Sequence, residues 1–157
     1  MTELKPEIIS MLKRQRRLGI LCIGAMVVTA AAGVLFTIEY SKYGEISSII
    51  TFAVVFILGL FAANYSAGSA IVEKFSTSGS VFVLLAGLLL CGGIAYYAYS
   101  RFYTVRDYDA ATAFSLMGAF FCFYPMLSGF TLYKYKTGVY RKIIEMNEKL
   151  KKTQGRG

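Results

Sequence analysis

The sequence predicts an all-α, polytopic membrane protein: a four-transmembrane-helix bundle with both termini cytoplasmic and an amphipathic C-terminal helix. The first observation behind this is a set of four long apolar segments, residues 18–38, 46–72, 79–99 and 110–133. None of them contains an Asp, Glu, Lys, Arg or His. At about 1.5 Å per helical residue, roughly 20 residues cross the ~30 Å hydrocarbon layer, and each segment is long enough. The second observation is where the positive charge sits. Five basic residues precede the first segment (Lys5, Lys13, Arg14, Arg16, Arg17), Lys74 lies in the second loop, and eight follow the last segment. The first and third loops together hold only Lys42, Arg101 and Arg106. Fourteen cations therefore fall on one side and three on the other, which under the positive-inside rule makes the termini and second loop cytoplasmic.

Composition bounds the rest. The chain has 157 residues, 56% of them hydrophobic, and the four segments use well over half of it. That leaves a single membrane domain and no hydrophilic stretch long enough to fold alone. The net charge of +8 could suggest nucleic acid, but it is concentrated in membrane-flanking clusters, where topology accounts for it. Cys22, Cys91 and Cys122 all lie inside apolar segments, so a disulfide framework is not expected. Cys22, near the cytoplasmic end of its span, is a candidate for S-palmitoylation.

Residues 1–17 form a basic amphipathic segment. Pro6 stands at a first helical position, and Ile8, Ile9, Met11 and Leu12 precede the cluster Lys13, Arg14, Arg16, Arg17. A short helix on the cytoplasmic surface is expected, its cations on lipid phosphates at about 1 kcal/mol each. The first span carries Gly24, Gly33 and several alanines, small residues that let helices approach closely where lipid removes the hydrophobic drive. An Ala30-Ala31-Ala32 run gives this span a signal-peptide-like cleavage site, but apolar residues continue through Ile38 to complete a crossing.

The second span ends in a small, polar stripe. Ala62, Ser66, Ser69 and Glu73 recur at helical spacing, and Asn64 beside them is the most polar side chain in any span. Such a stripe is expected to face another helix or a wet vestibule, with Asn64 in an interhelical hydrogen bond or, alternatively, against a substrate or ion or in an oligomer contact. The third span carries Gly92-Gly93 near its middle, marking close helix contact or a bend. Its outer end and the loop 100–109 hold Tyr96, Tyr97, Tyr99, Phe102, Tyr103 and Tyr108, an expected aromatic belt. In the fourth span Pro125 predicts a kink, because proline lacks a backbone donor and crowds the preceding turn. Tyr40-Ser41-Lys42-Tyr43 and Tyr99-Ser100-Arg101-Phe102 echo each other 59 residues apart, as do Gly33 and Gly92, which would suit two parallel hairpin repeats.

Residues 134–157 read as a basic amphipathic helix and tail. Val139, Ile143, Met146 and Leu150 form one apolar face flanked by i,i+4 ion pairs such as Arg141–Glu145, suited to a partner or to the membrane surface.

No His is present, and no metal site, cofactor motif, phosphate loop or nucleophile elbow can be read. A small multidrug-type carrier needs a Glu in its first span, and 18–38 has none. In topology alone the layout is similar to tetraspan membrane-organising proteins. The expected function is a non-enzymatic interaction or accessory subunit that touches the lipid bilayer and packs against other membrane protein subunits or itself. The alternative is a small channel or carrier for an uncharged or lipid-like solute, lined by Asn64, Ser66, Ser69 and the third-span glycines. An interfacial lipid enzyme using Glu73 is a third, weaker expectation.

Overall fold

The computed structural model describes residues 6–73 and 76–155. Five α-helices account for nearly all of them: α1 (Pro6–Glu39), α2 (Gly44–Glu73), α3 (Thr77–Ala98), α4 (Tyr108–Lys136) and α5 (Val139–Gln154). The first four are long and apolar enough to cross a membrane, which makes this a multi-pass membrane protein by length and composition.

The helix ends follow local chemistry. Ser76 caps α3 by accepting the Gly79 N–H at 3.3 Å, and Asp107 caps α4 by accepting the Ala110 N–H at 3.3 Å. Gly138, at φ +89, separates α4 from α5; an L side chain is strained in that conformation, and glycine is not.

Two boundaries differ from the sequence expectation. The basic N-terminal segment is not a separate surface helix, because α1 runs unbroken for 34 residues, roughly 50 Å. Lys13–Arg17 are good helix formers with no Gly or Pro among them, so nothing stops the span's helix from extending back toward Pro6. At the opposite end of the molecule, residues 99–103 are not loop. They continue α3 as a wider π-type turn, and the Thr104 hydroxyl donates to the Ser100 carbonyl at 2.7 Å.

The helices associate as two antiparallel hairpins joined through their second members. α1 packs on α2, α3 packs on α4, and α2 packs on α4 along most of its length. Gly44 of α2 lies against Tyr108 of α4, and Asn64 of α2 against Lys134 of α4, so the central pair is parallel. Among the described residues α3 packs chiefly on α4 and has little of its surface covered. The main core is small and tight: Met26 and Ala30 of α1, Val55 and Ala62 of α2, Leu116 and Ala119 of α4. Alanines on both central helices bring the backbones close, so dispersion supplies attraction that hydrocarbon solvent cannot.

Candidate functional site

Polar side chains gather at the two ends of the helical pairs. At the end holding the α1–α2 turn, a layer of hydroxyls is buried between helices. Thr37 and Ser47 share a hydrogen bond of 2.9 Å, Ser48 pairs with the Tyr103 hydroxyl at 2.6 Å, and the Tyr108 hydroxyl donates to Glu45 at 3.3 Å. Thr37, Ser47, Ser48, Thr51 and Thr112 are all buried. The sequence reading passed over this layer and placed Tyr103 and Tyr108 in a lipid-facing belt. Tyr103 and Tyr108 instead meet edge to face at 6.2 Å, while Tyr40, Tyr43, Tyr96 and Tyr99 stay exposed as a belt requires. The i,i+4 spacing of Ser47 and Thr51, opposite Thr37 and Gly33 across the hairpin, was the available clue.

The opposite end draws α1, α2 and α5 together. Gln15 of α1 and Tyr140 of α5 meet over Gly68 of α2, the tyrosine hydroxyl donating to Gln15 Oε1 at 3.4 Å. A methyl group on residue 68 would lie 2.8 Å from Gln15 Oε1 and 2.9 Å from the Tyr140 hydroxyl. Glycine is what admits both. Below them Tyr140, Ile143 and Ile71 form a second buried cluster, with Ile8, Ile9, Leu12, Val72 and Ile144 packed around it.

The expected polar stripe divides at this end. Ser66 faces Gly19 of α1, and the Ser69 hydroxyl turns back to the Ser66 carbonyl at 3.1 Å. The Asn64 side chain makes no hydrogen bond among the described residues. Its backbone carbonyl accepts one, from the Lys134 ammonium at 2.5 Å. A helix carbonyl keeps a second lone pair, and a lysine stem long enough to bend back can reach it. Glu73 closes α2, and its side chain lies outside the described residues.

The expected close-packing glycines divide as well. Gly33 is pressed against Thr51, as expected. Gly24, Gly92 and Gly93 face outward, with nothing within 4 Å of where a Cβ would be. Gly19, Gly44, Gly68 and Gly87, like Gly33, lie tight against a neighbouring element. Seven-residue spacing was the missed signal, since Gly19, Met26 and Gly33 share one face of α1 and Gly24 lies on another. Gly33 and Gly92, paired in the sequence echo, thus have opposite surroundings. Pro125 lies inside α4, which continues past it, and its buried ring rests on Gly87.

The expected partner face of α5 is partly occupied from within. Ile143 is only 5% exposed, Met146 is exposed, and the side chains of Val139 and Leu150 lie outside the described residues. Arg141 and Glu145 form the expected i,i+4 pair at 3.1 Å. Lys13, Arg14, Arg16 and Arg17 are exposed along the N-terminal extension of α1.

Apolar grooves run along both sides of the central pair. One of about 410 Å³ lies between α1 and α4, beside Met26, Met117 and Phe120. Another of about 510 Å³ lies between α2 and α3, floored by α4. Compared with protein-family models, curated proteins and solved structures, the chain matches none.

Proposed function

We propose that the chain is a non-enzymatic membrane subunit that works by packing against another membrane protein or a second copy of itself, with both termini cytoplasmic. The observation that carries this reading is the outward direction of Gly24, Gly92 and Gly93. A glycine facing lipid forfeits side-chain packing and weakens its helix by about 1 kcal/mol relative to alanine, whereas a glycine facing another helix permits close approach. These three have no helix against them within the chain, so a helix from outside gives them a use. The fourteen-to-three charge bias supports the orientation.

The channel or carrier alternative required Asn64, Ser66 and Ser69 to share a lining with the third-span glycines. Those groups lie on separate surfaces, and no observation favours that reading. The test is native mass measurement after gentle detergent extraction, on the protein as it stands and with Gly93→Leu. A homo- or heteromeric complex that Gly93→Leu dissociates, leaving the monomer folded, is the expected result. A monomer at every concentration, with no co-extracted partner, would overturn the reading.

A further inference from the structure

Consecutive helices joined by a short turn normally pack on each other, yet α2 and α3 both pack on α4 and leave a groove between them. Its walls are Leu60 of α2 and Leu84 and Leu88 of α3, and its floor is Cys122, Met126 and Gly129 of α4. The volume of about 510 Å³ falls within the usual ligand range of roughly 300–1,000 Å³. The lining reaches from Cys122 to Tyr133, about 16 Å along the helix, or about half the ~30 Å hydrocarbon layer. Its depth is therefore that of one leaflet.

We propose that this groove holds an acyl chain of one anionic phospholipid, whose phosphate is met by Lys136. Lipid tails are as apolar as leucine, so the groove by itself has no preference among lipids, and selectivity has to come from the head-group end. Cys122, Met126, Gly129, Tyr133 and Lys136 follow one another at spacings of 4, 3, 4 and 3, so the floor of the groove runs directly into an exposed amine. The contacts of Gly87 with Pro125 and of Leu84 with Gly129 set the register of α3 on α4. Continued by seven residues on each helix, that register brings Thr77 level with Lys136. On that register the first turn of α3, its positive dipole end capped by Ser76, lies level with the same mouth. An anionic head group matches that end, and a tail one leaflet deep matches the groove. The site does not depend on the subunit reading, and only the name of the leaflet depends on the proposed orientation.

The chain has no tryptophan, so Phe130→Trp places a single reporter in the groove, and Val28→Trp places one on the exposed outer face of α1. Each variant is reconstituted into bilayers containing equal mole fractions of phospholipid with brominated chains, bearing either an anionic or a zwitterionic head. The expected result is a roughly fivefold preference for the anionic lipid at the groove reporter, equivalent to about 1 kcal/mol for one lysine at the surface, and little preference at the α1 reporter. Lys136→Glu should abolish the preference, and Lys136→Arg should keep it. Equal preference at both reporters, or persistence in Lys136→Glu, would show only a general attraction to the basic end and would overturn the site. Absence of quenching at the groove reporter by either lipid would overturn it in favour of a protein segment filling the groove.

Discussion

Gly87 of α3 lies directly on the ring of Pro125 of α4, close enough that a methyl group at residue 87 would sit 2.8 Å from Pro125 Cβ and Cγ. A proline ring cannot rotate aside as a flexible side chain can, so the contact fixes how near α3 approaches α4. Among the described residues α3 packs chiefly on α4, and this contact is the tightest glycine approach in that seam, beside those of Leu84 with Gly129 and Ile94 with Gly118.

Gly87→Leu is therefore expected to destabilise the fold by about 1–3 kcal/mol, the usual range for overpacking. Gly93→Leu, six residues along on the open side, should leave the melting temperature of the detergent-solubilised monomer almost unchanged. Equal losses from the two variants would contradict this arrangement of α3.

The second buried cluster makes α5 part of the fold. Ile143→Ala should cost about 2–5 kcal/mol locally, and Gly68→Leu should displace Tyr140 and Gln15 together. Limited trypsin digestion checks this, since Arg141 and Lys142 should be cut markedly faster in both variants. Removal of 139–157 should expose Ile71 and the apolar residues of the α1 extension and lower the melting temperature. A truncated protein as stable as the full chain would sink this account.

The spans were legible because a hydrocarbon layer imposes a coarse rule, length and absence of charge, that any helix-forming sequence displays. Helix neighbours are set by finer means. Gly19, Gly68 and Gly87 differ from Gly24, Gly92 and Gly93 only in which face they occupy, and composition does not report faces. The N-terminal extension of α1 was misread because its apolar residues looked suited to a membrane surface, when their partners, Tyr140 and Ile143, lie more than 125 residues later in the chain. The surroundings of Asn64 were hidden for a related reason. A polar side chain draws attention, but the group used was a backbone carbonyl, which every residue has.

Asn64→Leu is accordingly expected to be nearly neutral, shifting stability by less than about 0.5 kcal/mol, since no hydrogen bond of its side chain is lost. Lys134→Met removes the amine that caps the Asn64 carbonyl and should cost more, about 0.5–1.5 kcal/mol. Thermal melts of the two variants in one detergent compare them directly. A larger loss from Asn64→Leu than from Lys134→Met would reverse the assignment.

Orientation has its own test. In a background lacking Cys22, Cys91 and Cys122, single cysteines at Ser41 or Val105 should react with an impermeant thiol reagent applied outside intact cells. Cysteines at Ser78 or Thr153 should react only after permeabilisation. Labelling of Thr153→Cys in sealed cells would overturn the cytoplasmic placement of the termini.

The parallel pairing of α2 with α4 also bears on biogenesis. Spans leave the ribosome in chain order, so α3 enters the bilayer while the partner of α2 is still being made. The part of α2 that packs on α4, including Val55 and Ala62 opposite Leu116 and Ala119, is incompletely covered until α4 arrives, and α3 has to be clear of that face by then. The apolar residues of the α1 extension wait longer still, for the last helix to be synthesised. A chain halted before α5 thus leaves apolar surface bare that the pairing of α1 with Tyr140 and Ile143 covers.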